Sequence, residues 1–432
     1  VAKKNMPPTE AWQKLIQQYS IPDKVSDSGS VILTADDIRE YREPRLMAKW
    51  DSEDYLPQPL KSEHLNILPV SRSAYIVSDV LLYEPLPSLD QPVKEMTQVR
   101  LPHYESIDIE HISSESNAIN ALKLSGILDD FLGEKTVETF NGRMGSGEFG
   151  FNINRFGGGA LQVDVQNAQL EIDGGFETDN SVVVMEAKNV PHNDFLVRQL
   201  YYPYRLWSGK VDKPIRLIFS QYTNQIFRLF EYGFDSQNDY SSIKLLGVKN
   251  YSLQDTTITL EDIHATLVNT CIRTDDKMDG NSVPFIQANS MDRVIAILEH
   301  LAVQNMNMQE VAESMEFDPR QSTYYADAGI YLGLFYRPIR GVISLTGRGR
   351  EIFKMRYQDR QLALVAQIFE HEIFQSFFID IYRTGELPDQ KKIEDWMRWR
   401  KVCGEGQVVR RASTVLSWLN WMISLTGISD EE

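Results

Sequence analysis

The alternation of hydrophobic periods between Ser114 and Phe234 constrains this chain's fold more than any other feature. Residues Ser114 to Leu128 place apolar side chains at helical spacing, continuing to Phe131, with Gly133 as the stop. A glycine-dense loop follows from Asn141 to Gly150. Strand-like runs then span Ala160–Val165, Ala168–Ile172 and Ser181–Ala187. Asn193 or Asp194 caps a helix that runs to Trp207, just before Gly209. Two more β-like runs cover Pro214–Ser220 and Gln225–Phe234. Helix, three strands, helix, two strands is an α/β order, with a mixed sheet flanked by helices.

A different grammar begins at Met291. Met291–Val303 is amphipathic, Asn307 and Glu310 form a capping-box pair, and Asp318-Pro319 is an N-cap followed by a first-turn proline. A third helix is expected from Arg320 to Leu332, then two short strands around a turn between Leu334 and Leu345. Three helices and a hairpin are the winged helix-turn-helix order. A weaker unit of the same kind is read over 385–425, with Val408–Ile423 as its third helix. The expected divisions are an N-terminal subdomain at 1–102 (a candidate DNA clamp), a core at 103–250, a linker region at 251–284, a winged helix at 285–360, and a second winged-helix-like unit at 361–432.

The chain has 44 basic and 61 acidic residues among 432, a net charge of −17. That excess opposes nucleic-acid binding, because phosphate contacts need Lys and Arg. The distribution softens it: residues 291–432 carry 17 basic and 20 acidic side chains. Between Asp327 and Glu351 there is no acid, but there are Arg337, Arg340, Arg348 and Arg350. No apolar run approaches the ~20 residues of a membrane span, and no secretory signal is visible behind Val1. Cys271 and Cys403 lie far apart, which excludes a disulfide framework and a zinc finger and points to a reducing, cytoplasmic setting.

The chemistry concentrates in Glu171-Ile172-Asp173-Gly174-Gly175-Phe176 and Val182-Val183-Val184-Met185-Glu186-Ala187-Lys188. Side chains alternate along a strand, so Glu186 and Lys188 share a face. A turn between the two runs brings Asp173 beside Glu186. Two close carboxylates repel unless a cation sits between them, and Mg²⁺ suits such oxygen ligands. The carbonyl of Ala187 is a further candidate ligand, and Lys188 a candidate to position the attacking water. Two other acid-x-lysine pairs, Asp275/Lys277 and Asp389/Lys391, lie in a polar turn and at a helix entrance. Only Glu186 ends an apolar strand with a second acid on the strand before it. The plain alternative is a surface ion pair at a strand end.

Asp173…Glu186-Ala187-Lys188, set between the 114–131 and 193–207 helices, resembles the PD-(D/E)XK nuclease superfamily. The usual proline before the first acid is absent; Ile172 stands there. The resemblance implies a further acid from the first helix, matched by Glu115, with Glu171 the weaker alternative. In the second helix Arg198, Gln199 and Tyr202 are spaced to face the site, and Gln199 matches a polar position common in the superfamily. The wider arrangement resembles type II restriction endonucleases with an appended winged helix. The segments Arg42 to Asp51 and Phe317 to Leu334 add to that likeness.

In the expected third helix Arg320, Gln321, Thr323, Tyr324 and Asp327 are the candidates to read a major groove, while Ala328, Tyr331 and Leu332 face the core. Arg337, Arg340 and Arg348 are expected to approach phosphate or the minor groove from the wing, and in the second unit the DNA-binding candidates Arg410 and Arg411 sit with Ser413 and Thr414 at the start of a helix, close to Arg398, Arg400 and Lys401. Arg143, in the glycine-rich loop, is a candidate phosphate contact. That loop lacks the GK[ST] ending of a P-loop, so ATP is not expected. His371 reads as a surface residue, and Trp396, Trp399, Trp418 and Trp421 as core.

The resulting expectation is a Mg²⁺-dependent, sequence-specific endonuclease of restriction type acting on double-stranded DNA, with Mn²⁺ as a plausible substitute. The resemblance also implies a cognate DNA methyltransferase, and a homodimer if the site is palindromic. A methylation-dependent nuclease, an inert winged-helix DNA-binding regulator and a protein-interaction scaffold are the competing readings.

Overall fold

The computed structural model describes residues 6–87, 93–96, 101, 104–109, 111–112, 114–273 and 285–427. The Asp275/Lys277 pair and the last third of the expected linker, 274–284, therefore lie outside the described residues. Among the described residues the centre is a seven-stranded mixed sheet. Its order is Val93–Glu95, Ile243–Ser252, Ile226–Phe234, Ile215–Thr223, Val182–Lys188, Gln169–Glu177 and Val137–Gly145. Val182–Lys188 pairs in parallel with Ile215–Thr223 and antiparallel with Gln169–Glu177.

Each residue of Val182–Lys188 is buried. A strand covered on both faces reads as a continuous apolar run, and the Val-Val-Val-Met sequence supplies it. Val183, Met185 and Ala187 pack on one face with Ala118, Ile119 and Leu122 of helix Glu115–Leu124. Val184 packs on the other with Leu200 and Tyr201 of helix Arg198–Ser208. The sheet is thus sandwiched, and Glu186 and Lys188 fall on the Arg198–Ser208 face.

Several local expectations change. The first helix breaks at Gly126, which has a φ of 73°, into Glu115–Leu124 and Ile127–Leu132. The glycine-dense stretch is two strands, Val137–Gly145 and Glu148–Asn154, joined by a tight turn in which Gly147 has a φ of 71°. The helix expected from Asn193 starts at Arg198, because Asp194–Leu196 pairs instead with Tyr83–Pro85. Part of the expected linker is a helix, Leu260–Asn269, capped by Thr259 and Asp262, and its Ile263 and Leu267 join the C-terminal core.

The N-terminal part packs helices Pro8–Tyr19 and Ile21–Ser28 on a three-stranded sheet around Trp12, Leu15, Leu33 and Val77. The C-terminal part is mainly helical. Met291–Val303, Met308–Ser314 and Pro319–Tyr331 precede strands Phe335–Tyr336 and Val342–Leu345, and Met306–Asn307 completes a three-stranded sheet. The capping box of Asn307 and Glu310 and the Asp318 cap both form. Ala328 and Leu332 are core residues and Tyr331 is partly buried. Over 385–425, however, the chain forms only helices Gln390–Arg400 and Glu405–Ser424, with no strand among the described residues. That segment has no β-like run from which to build a wing.

No single helix among the described residues is long and apolar enough to cross a membrane. The bent pair Tyr357–Phe369 and Glu372–Thr384 is apolar because Leu364, Ile368, Phe374 and Phe378 form core. His371, at their junction, is buried against the Tyr331 ring rather than exposed. Trp418 is core as expected; Trp399 is 71% exposed.

Candidate active site

The end of strand Val182–Lys188 opens into a cleft of ≈ 330 Å³. Its walls bring together Asp173, Glu186, Lys188, Glu115 and Gln199, from two strands and two helices. Ladder pairing between the two acid-bearing strands runs from Val182–Glu177 to Met185–Gly174. One residue further, Asp173 turns its carboxylate to the opposite backbone, and the Ala187 N–H donates to Asp173 Oδ2 at 3.0 Å. Ala187 thus contributes its backbone, while its methyl group packs in the core beneath. Gly175 permits the approach on the other side of Asp173: a Cβ there would lie 2.3 Å from the Phe140 ring.

Lys188 Nζ lies 3.0 Å from Glu186 Oε1 and 3.9 Å from Glu115 Oε1. Gln199 Nε2 also donates to Glu186 Oε1. A further carboxylate comes from far away in sequence. Lys188 Nζ donates to Asp51 Oδ2 at 3.0 Å, and Asp51 is 3% exposed. The charged and aromatic Arg42–Asp51 segment carries no sequence motif that reports this contact.

That segment is held rigidly. The indoles of Trp12 and Trp50 both donate to the Met47 carbonyl, at 3.2 and 2.9 Å. The Leu196 N–H donates to the Asp51 carbonyl at 3.0 Å.

The electrostatics divide these groups. Burial, with the nearby charges of Asp173, Asp51 and Glu115, pushes the Glu186 carboxyl well above its ordinary range, and Lys188 only partly offsets this. Burial also acts against ionised Asp51, but Lys188 and then Lys49 outweigh it and hold Asp51 below the usual carboxylate range. Burial disfavours ionised Lys188, yet Asp51 and Glu186 outweigh it, so Lys188 is a standing cation rather than a base. Burial raises Glu115.

The C-terminal part contributes Glu316, in a turn with a left-handed φ of 49°. Its Oε2 is 3.4 Å from His192 Nε2. Burial pushes Glu316 up to about 7 and His192 down to about 3. With His192 neutral, the contact is not an ion pair. Both of these atoms, and Asp51 Oδ1 and Gln199 Oε1, are buried without a hydrogen-bond partner among the described residues.

Cations line the same cleft: Arg45, Lys49, Arg72 and Arg198. Tyr202, expected to face the site, is buried, with its hydroxyl donating to the Pro69 carbonyl. Glu171 faces Arg143 at 3.2 Å. Arg143 therefore sits on an edge strand beside an acid, not in an anion-binding loop.

The remaining candidates lie on the C-terminal part. Arg320 and Thr323 are exposed on helix Pro319–Tyr331, Tyr324 is half-buried, and Gln321 accepts a hydrogen bond from Arg293. Arg337 is paired with Asp327, and Arg340 is exposed. Arg410 is exposed and stacks over the Tyr324 ring at 5.7 Å. Arg411 turns inward and is 7% exposed, which removes it from any nucleic-acid surface. Its position on the inner face of helix Glu405–Ser424, beside core residues Ala412 and Val408, explains this.

Among the described residues no group of three or more His, Cys, Asp or Glu side chains forms a metal cluster. The donors present fit a hard cation held by two carboxylates with water and phosphate oxygens, as Mg²⁺ usually is. Burial is the main cause of the raised Glu186 value; Asp173, Asp51 and Glu115 add to it, and a cation between Asp173 and Glu186 would relieve that added repulsion.

Three family models match successive stretches, each described as a domain of unknown function: DUF6996 over residues 9–77, DUF6997 over 78–252 and DUF7226 over 293–427. No curated protein and no solved structure matches the chain. Asp51 thus falls in the first matched domain, the Asp173–Glu186–Lys188 group in the second and Glu316 in the third.

Proposed function

We propose that this chain is a Mg²⁺-dependent DNA endonuclease of restriction type, with a PD-(D/E)XK-like core and a winged-helix unit at 285–360. The observation that carries this reading is the meeting of Asp173, Glu186 and Lys188 at the open end of a buried strand, with Glu115 and Gln199 around them. Two carboxylates and a lysine there match the needs of phosphodiester hydrolysis.

Asp173 and Glu186 would hold Mg²⁺, with the Ala187 carbonyl as a further candidate ligand. When bound, the ion supplies Lewis-acid polarisation of the phosphoryl oxygen and lowers the pKa of a bound water. The chain's own residues do the rest. Lys188, always charged, donates to the attacking water and offsets phosphate charge. Gln199 orients the Glu186 carboxylate. Arg45, Lys49, Arg72 and Arg198 give the cleft a cationic wall for the flanking phosphates. Arg320, Thr323, Tyr324, Arg340 and Arg410 form the surface we assign to duplex DNA. The net charge of −17 makes non-specific affinity weak at physiological salt.

The test is cleavage of plasmid DNA with and without Mg²⁺. Asp173→Ala should abolish cutting and spare binding; a variant that cuts as fast as wild type would show the active site to be wrong.

A further inference from the structure

Lys188 has two anchors at hydrogen-bonding distance, and they come from different parts of the chain: Glu186 Oε1 and Asp51 Oδ2, each at 3.0 Å. Under the nuclease reading, on which this inference rests, Glu186 is also a ligand of the cation, and its charge is then shared. A lysine ammonium on a flexible four-carbon stem needs a second fixed partner to keep its place. Asp51 is built to be that partner. Its backbone is held by the Leu196 N–H, and the Trp50 indole and the Tyr83 hydroxyl fix the residue before it. A buried carboxylate is expensive unless paired. The pairing that Asp51 makes within the cleft is with Lys188, and with half-exposed Lys49 at 3.6 Å.

We propose that Asp51 is a positioning residue for Lys188, holding its ammonium at the cleft floor during the reaction, so that the N-terminal part completes the active site. This goes beyond a role in clamping DNA. It predicts that the core alone, without residues 45–51, carries the acids and the lysine but holds the lysine in the wrong place.

The experiment compares full-length wild type, Asp51→Asn and Asp51→Glu on plasmid DNA with Mg²⁺. It measures kcat, KM and metal-free gel-shift affinity. Asp51→Asn should lower kcat by about 100-fold, the scale of a misplaced catalytic group, with KM and affinity unchanged. Asp51→Glu, which keeps the charge, should recover about tenfold of that loss. The double variant with Lys188→Ala should be no slower than Lys188→Ala alone, because both act through one group. An Asp51→Asn enzyme with wild-type kcat, or a loss confined to KM, overturns the proposal. If Asp51→Asn does not fold by circular dichroism, Asp51→Glu decides: a lowered kcat at unchanged KM supports the proposal, and a wild-type kcat overturns it. A wild type that cuts no DNA refutes the nuclease reading itself, a result distinct from an active Asp51→Asn.

Discussion

Glu316 offers a quantitative test of how crowded with acids this site is. Burial, with the negative charges of Asp51 and Glu115 nearby, raises its carboxyl from the ordinary 4.5 to about 7, although Lys188 pulls the other way. An acid whose folded value is raised contributes stability that is fully present below its unfolded value. That stability is lost as pH climbs towards the folded value. Each pH step between 4.5 and 7 costs ~1.4 kcal/mol, so the wild type gives up ~3 kcal/mol across the window.

Glu316→Gln removes the titration. Its amide can donate to the neutral His192 Nε2, which has no hydrogen-bond partner among the described residues, as the protonated acid would. The variant should match the wild type at about pH 4, below the unfolded value, and exceed it at pH 8. At a few degrees per kcal/mol, the gain in melting temperature is on the order of 5 °C at pH 8. Thermal melts of both proteins at half-unit pH steps, without metal, measure it. A constant offset across the range, or a variant less stable at pH 8, would refute the account of Glu316.

Other expectations follow from the same geometry. Lys188→Met removes the cation that buried Asp51 and Glu186 share, leaving Asp51 only half-exposed Lys49 at 3.6 Å, and should destabilise the protein by ~3–5 kcal/mol at neutral pH in urea melts. Gly175→Ala places a methyl carbon 2.3 Å from the Phe140 ring and 2.4 Å from its carbonyl oxygen; a loss of ~1–3 kcal/mol is expected, with slower cleavage because Asp173 is on the same strand. Arg340→Ala, at the exposed wing, should weaken DNA binding evenly across sequences and reduce the salt slope by ~1, read from gel shifts at several salt concentrations.

What the sequence made legible was local. Strand Val182–Lys188 announced itself by four successive apolar residues ending in an acid and a lysine. The Asn307/Glu310 and Asp318-Pro319 signals marked real helix starts because capping depends on residues at most three apart: Glu310 reaches back to Asn307, and Asp318 accepts from the Arg320 N–H behind Pro319. What escaped depended on distance or competition. Asp51 meets Lys188 across 137 residues of chain, and no spacing rule reports such a contact. The helix expected from Asn193 lost its first turn to a strand pairing with Tyr83–Pro85. Glycines made 141–150 read as a loop, though there they serve a sheet edge and a hairpin turn. The Thr259/Asp262 cap is present in the sequence, but its helix lies in a stretch whose surroundings read as a linker. Arg411 and His371 look like surface residues by type, and tertiary packing buries both.

The most direct test of the central claim is digestion of unmethylated and methylated plasmid and phage DNA by wild type and Asp173→Ala, with and without Mg²⁺. The account predicts discrete fragments from the wild type only, and only with the metal; the substrate that is cut separates an ordinary restriction enzyme from a methylation-dependent one. Intact DNA under every condition, with a retained gel shift, would contradict the nuclease and leave a DNA-binding protein.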